Sequence, residues 1–272
     1  MKAISLKNIV KDYYIYRRNS QRIKAILLGT DSEITTRALD DVSIDIEKGE
    51  NVCLIGRRGS GRTTIMRTII GTCFPKSGTV RVRGKVNAMI TMTAGMDQGL
   101  KAHDNIMLQG SMLGYKKKTL KENEQDIIDF ADANDYVSLP IKDFPPGMAA
   151  RIGLGVHLID KPEILLLDEP FAVGTMVYRD RCIKRLKQVV DDPDVTFVFV
   201  SKNIGLAKLL CQRGIVLEKG KILFDGEIGE AFAEYRKFCA TLPRRDEKSE
   251  GEELMGEEMD DMGGGSEDEA LF

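Results

Sequence analysis

The stretch Asn51–Thr64, NVCLIGRRGSGRTT, constrains this chain more than any other. An apolar run, Val52–Ile55, stops at Gly56, and glycines recur at Gly59 and Gly61. Arg62, Thr63 and Thr64 then lead into Ile65-Met66-Arg67, which reads as the opening of a helix. Strand, glycine-rich turn and helix N-terminus in that order form a cradle for phosphate. The glycines let backbone N–H groups converge on an anion with no side chain in the way. The first helical turn adds unpaired donors at the positive end of its dipole, and Thr63 can put its hydroxyl on Mg²⁺. The pattern Gly-x4-Gly-Lys-Ser/Thr is met except where Arg62 stands for lysine. A glycine-rich turn with no ligand is the alternative that this stretch alone leaves open.

A second motif follows downstream, Ile164-Leu165-Leu166-Leu167-Asp168-Glu169-Pro170. An apolar strand ending in Asp-Glu offers one carboxylate, Asp168, for Mg²⁺ and a second, Glu169, to orient or deprotonate a water. Such a strand end is common alone and becomes specific when it follows a phosphate loop. Between the two lies Phe144-Pro145-Pro146-Gly147-Met148-Ala149-Ala150-Arg151, where a helix opens after two prolines and a glycine. That is another N-terminus fit to meet an anion. An ordinary Pro/Gly helix start is the plain reading, and the order of the three motifs shifts the balance.

The remaining elements read as alternating strands and helices. Met1–Val10, Val42–Ile46, Gly78–Arg83 and Val86–Thr91 read as strands, and Ile164–Leu167 and Val195–Val200 as strands buried on both faces of a parallel sheet. Gly214–Leu217 and Lys221–Phe224 flank a turn as a late hairpin. Lys121–Asn134, Tyr178–Val190 and Glu227–Ala240 read as helices. Ser20–Leu28 has Ile23, Ile26 and Leu27 at helical spacing, either a short surface helix or an amphipathic helix at a cytosolic membrane face or on a membrane partner.

Composition bounds the setting. Of 40 basic and 42 acidic residues, 3 and 12 fall in residues 241–272, leaving 37 and 30 in a basic body. The tail, glycine-rich and poor in large apolar residues, cannot bury enough surface to offset its ordering, and reads as disordered and solvated. A basic body suggests nucleic acid, yet no aromatic–basic platform or recognition helix accompanies it. No apolar run approaches the length of a membrane span, and the start alternates like a strand rather than a signal peptide. Cys53, Cys73, Cys182, Cys211 and Cys239 lack any C-x-x-C spacing and read as small buried hydrophobes in a reducing cytosol.

With the three motifs in this order, residues 1–240 resemble the ATP-binding subunits of ABC transporters. Within that family the chain looks most like subunits that energise export of teichoic acid, O-antigen and capsule. The closer likeness lies in Ala38–Val42, Asp104-Asn105-Ile106, Gly110–Gly114, the Gly147-Met148 signature and Ala172-Val173-Gly174. The resemblance implies an α/β P-loop NTPase of the ABC ATPase type, with a helical subdomain and an antiparallel β subdomain. Residues 17–36 would be an extra membrane-proximal segment, and residues 241–272 the acidic tail. It implies two subunits in a head-to-tail dimer, with each ATP held between one phosphate loop and the partner's Pro146, Gly147 and Met148. Gly56, Arg57, Arg58, Gly59, Ser60, Gly61, Arg62, Thr63 and Thr64 would hold the phosphates. Thr63 and Asp168 would hold Mg²⁺, and Glu169 would act on water. Tyr13 falls where an aromatic ring stacks on adenine, with a packed strand-end tyrosine as the alternative. Residues from Thr91 to Gly114 would form a loop that senses a separate transmembrane permease, and the subunit would sit peripherally at the cytoplasmic face of the membrane.

Departures from the family pattern gather where the γ-phosphate would lie. Arg62 replaces a compact ammonium with a planar fork. Pro146 stands for the signature serine, Thr175 for an aspartate that communicates across the dimer, and Lys202 for the switch histidine. By a looser alignment, Thr91 stands for a Gln or Glu. These substitutions imply that ATP binding survives better than hydrolysis. The alternative class is a non-hydrolysing regulatory or scaffold subunit, or the degenerate half of an asymmetric pair. His157, in the apolar helix after the signature, reads as packed rather than catalytic.

Overall fold

Alternation along β3 (Asn51–Gly56), buried at every residue, sets the layering. Successive side chains point to opposite faces, so Val52 and Leu54 enter one apolar layer while Cys53 and Ile55 enter another. The structure, a computed structural model, describes residues 1–14, 36–91, 93–159, 161–168 and 176–242.

The larger sheet runs in the order β5 (Val86–Met89), β6 (Ile164–Asp168), β7 (Thr196–Val200), β3, β8 (Arg213–Glu218) and β9 (Lys221–Glu227). All its pairs are parallel except the β8–β9 hairpin. The smaller sheet is antiparallel, with β1 (Lys2–Tyr13) between β2 (Thr36–Glu47) and β4 (Ser77–Val82). Helix α1 (Arg62–Ile70) joins the layer between the sheets. There its Ile65, Met66 and Ile69 pack with Ile4, Leu6 and Ile44 of the small sheet and Leu54, Leu166 and Val198 of the large one.

The opposite face is covered by α5 (Met176–Val190), α6 (Ile204–Leu210) and the start of α7 (Ile228–Thr241). Cys182, Leu186, Leu206, Leu210 and Phe232 close over Leu165, Leu167, Phe197 and Phe199. A third cluster joins α2 (Ala102–Met112), α3 (Lys117–Ala131) and α4 (Met148–His157) through Ile106, Ile127, Ile128, Met148 and Ile152. The architecture is thus the expected one, an α/β core with a helical and an antiparallel β subdomain.

Several expectations change in detail. β1 and β2 run on to pair Tyr13 with Thr36, because buried Asp12 accepts from Arg37 at 2.9 Å and Lys76 at 2.9 Å and so tolerates polar residues in the ladder. The stretch 91–114, expected as a loop, contains α2. Buried Asn105 fastens the turn before it, accepting from Asp97 N at 2.8 Å and donating to Leu100 O at 3.1 Å. Helix α6 was not legible; Asn203 caps it by accepting from Leu206 N at 3.0 Å. Four cysteines are buried and free, whereas Cys239 is only partly buried. Ser20–Leu28, Glu169, Ala172–Thr175 and residues 243–272 lie outside the described residues.

Candidate nucleotide site

The carboxyl ends of β3, β6 and β7 come to one edge, the position where open α/β sheets bind ligands. Asp168 pairs in register with Val200, and Leu54 of β3 pairs with Val200 on its other side. The loop from Gly56 therefore opens beside Asp168 and the turn Ser201-Lys202-Asn203.

Two glycines of the loop are held in the left-handed region, Gly59 at φ 74° and Gly61 at φ 109°. A Cβ on Gly61 would lie 2.7 Å from Ala38 O, while one on Gly59 would meet nothing within 4 Å. One glycine is thus a close approach between segments, and the other faces open space. That space is a cleft of about 310 Å³ lined by Tyr13, Thr36, Ala38 and the loop from Arg57 to Thr64. Helix α1 starts behind Gly61 with no side-chain cap and no acidic residue in its first turn. Its donors and dipole are left for an anion.

At the floor, Thr63 Oγ1 donates to Asp168 Oδ2 at 3.0 Å. A hydroxyl and a carboxylate side by side are an all-oxygen donor set of the kind Mg²⁺ takes together with substrate phosphates. Among the described residues no group of three or more His, Cys, Asp or Glu could hold a metal by itself.

Tyr13 stands at the cleft, 37% exposed. Lys11 Nζ lies 5.3 Å from its ring centroid and donates to Phe74 O at 2.8 Å. The Tyr13 hydroxyl lies 3.5 Å from Cys73 Sγ, and burial followed by this contact raises its pKa. Lys202 is exposed just past β7. Its turn is fixed by Asn203 N donating to Ser201 Oγ at 3.1 Å.

Not every expected contact points into the cleft. The Arg57 guanidinium grips the Glu218 carboxylate at the end of β8, with Nε donating to Oε2 at 3.2 Å. Ser60 Oγ is buried against Gly56 without a hydrogen-bond partner, so Ser60 serves the loop through its main chain. At the signature, Gly147 caps α4 at φ 82° and Pro146 is exposed, but the Met148 side chain belongs to the helical core. His157 is buried beside Asn87, and burial lowers its pKa to about 4. It is a packing residue, as expected. Sequence reasoning missed Glu218, far along the chain from Arg57, and Cys73. Lys11 was accessible, since it stands two residues before Tyr13 on the same face of β1.

Residues 39–172 match the family model for the ABC transporter. Over 243 residues the chain is 30% identical to the teichoic acids export ATP-binding protein TagH of Staphylococcus haemolyticus, covering 89% of this chain and 91% of that one. The chain belongs to the ABC transporter family. A TagH of Staphylococcus epidermidis is also 30% identical, over 92% of this chain and 94% of its own length. A longer TagH, of Bacillus cereus, is 30% identical over 87% of this chain, which spans 43% of that protein.

Solved ABC cassettes share the fold. A dimeric post-hydrolysis state of an ATP-binding cassette bound to ADP and Pi superposes with a TM-score of 0.67 at 19% identity, over 83% of this chain and 98% of that one. A dimeric bacterial ABC transporter cassette gives 0.67 at 20%, with the same coverage. As an ABC cassette the chain is an ATP-binding ATPase subunit. Such subunits dimerise and act with a transmembrane permease. No described helix here is long and apolar enough to cross a membrane.

Proposed function

We propose that this ABC ATPase powers export of a cell-surface polysaccharide of the teichoic acid class through a separate permease, from the cytoplasmic face of the membrane. The observation that carries the export reading is the 30% identity to two export ATP-binding proteins along nearly their whole length. The Thr63–Asp168 pair supports the chemistry. When bound, Mg²⁺ would neutralise charge on the transferring phosphate.

In this reading the loop from Gly56 to Thr64 holds the phosphates and Tyr13 offers a ring to the base. Thr63 and Asp168 would hold the ion, and Glu169 would take the proton of the attacking water. Pro146, Gly147 and Met148 complete the site of a second subunit. Residues 17–36 act near the membrane.

Turnover is slow because Arg62, Pro146 and Lys202 replace groups that meet the γ-phosphate, and Thr175 replaces an aspartate that communicates across the dimer. Each lost transition-state contact costs about 10²–10³ in rate, not additively. Steady-state ATPase of the purified protein beside Arg62→Lys and Lys202→His tests this. Slow wild-type turnover that rises in the reversions supports it, and brisk turnover unchanged by either overturns it. Purification from membranes through an epitope on this subunit tests the export reading. A polysaccharide-export permease in the eluate supports it, and an intact subunit with no membrane partner favours the scaffold alternative.

A further inference from the structure

The β8–β9 turn lies against the phosphate loop and makes three sets of contacts with it and with β2. Its central residues, Lys219 at φ 47° and Gly220 at φ 78°, are both left-handed, the conformation of a tight two-residue hairpin. Gly220 N donates to Ser60 O at 3.0 Å, and Asp40 N donates to Gly220 O at 2.9 Å. A Cβ on Gly220 would lie 2.7 Å from Ala38 O, and one on Gly56 would lie 2.4 Å from Leu217 O. Beside these main-chain contacts stands one charged pair. Glu218, 8% exposed, takes the Arg57 guanidinium with both of its oxygens. Ser60 N in turn donates to Arg57 O at 3.1 Å. The residue that Glu218 holds is therefore the one on which the loop folds back.

We propose that Glu218 is a positioning residue of the nucleotide site, fixing the phosphate loop through Arg57 so that its main-chain donors converge before nucleotide arrives. The proposal goes beyond polysaccharide export and rests only on the cleft being a nucleotide site. Glu218 does not touch the ligand. Its effect falls on binding, because a loop already in its bound shape loses less freedom when the anion enters.

The sign of the effect separates positioning from simple charge. Arg57, Arg58 and Arg62 make the loop cationic, and Glu218 subtracts one charge. If Glu218 only neutralised charge, Glu218→Gln would make the cleft more positive and tighten ATP binding. If it positions the loop, the same change loosens binding although the cleft has gained a positive charge.

Titration calorimetry of the full chain with Mg²⁺-ATP, on wild type, Glu218→Gln, Arg57→Gln and the double variant, reads this directly. We expect Glu218→Gln to weaken binding roughly tenfold, the loss of one charge-assisted fork, with kcat at saturating ATP within about twofold of wild type. The double variant binds no more weakly than Arg57→Gln alone, because the two side chains act as one contact. Glu218→Asp keeps the charge and shortens the arm, so weaker binding there supports positioning even if the glutamine variant folds poorly. Binding by Glu218→Gln that equals or exceeds wild type overturns the proposal, as do additive losses in the double variant. A wild type that takes up no nucleotide overturns the nucleotide reading itself, a separate and recognisable result.

Discussion

Helices α1 and α4 begin alike and are used differently. Each starts at a left-handed glycine, Gly61 or Gly147, with no side-chain cap and no acidic residue in its first turn. Around α1 the same chain supplies the rest of a site: the cleft, the Thr63–Asp168 pair and the β8–β9 turn that holds the loop. At α4 it supplies a donor end and a firm mounting. Exposed Pro146 precedes the helix, Met148 anchors it in the helical core, and the Arg151 guanidinium lies 4.1 Å over the Tyr178 ring of α5. An uncapped N-terminus becomes a binding site when other elements enclose it. In the proposed reading, a half-site on such a helix would gain its remaining wall from a second subunit.

The largest effect should come from the floor of the α1 site. Asp168→Ala removes the carboxylate beside Thr63, and ATPase activity should fall by about 10²–10³ while metal-free nucleotide binding persists. Activity within a few-fold of wild type would mean that this pair does not serve the metal.

Alanine at the two starting glycines sharpens the contrast. Gly147→Ala should cost about 1–2 kcal/mol for the left-handed backbone. Gly61→Ala meets Ala38 O at 2.7 Å as well, so urea unfolding should show a larger loss, and nucleotide binding should fall with it. Equal losses would show that the wall around α1 yields.

The far end of α4 offers a test by pH. Burial holds His157 neutral with a pKa near 4, below the unfolded value, so the unfolded chain takes the proton first as pH falls. Its contribution to stability is complete above about pH 6.5 and is lost on descent to pH 4, roughly 3 kcal/mol in all. His157→Gln should flatten that part of the profile, and an unchanged slope would place the acid sensitivity elsewhere.

The smallest effect should follow Arg151→Gln. Loss of the ring contact with Tyr178 should cost about 1 kcal/mol in urea unfolding. ATP affinity of the isolated subunit should be untouched, because the site around α1 is built without α4. A weakened affinity would show that the two helix ends are not independent.

The strands were legible where a period of two met continuous apolar runs, as at Val52–Ile55, Ile164–Leu167 and Val195–Val200. Helix α2 was missed because Asn105 looks like a loop residue until its side chain is seen buried among main-chain groups. Helix α6 is too short to show a period and depends on its Asn203 cap. Within the site, the loop and Asp168 could be read because each is a local motif. Tyr13 could be assigned to the site only through the family resemblance, and Cys73, against which its hydroxyl rests, could not be assigned at all.

Local chemistry wrote the phosphate loop, the apolar strand before Asp168 and the glycine-led start of α4, because each depends on residues adjacent in the chain. Folding alone brought Thr63 to Asp168, set Gly61 under Ala38 and paired Arg57 with Glu218. Those pairings span long loops, and no periodicity records them. They exist because parallel strands order β6, β7, β3 and β8 side by side, and the sheet edge then decides which side chains meet.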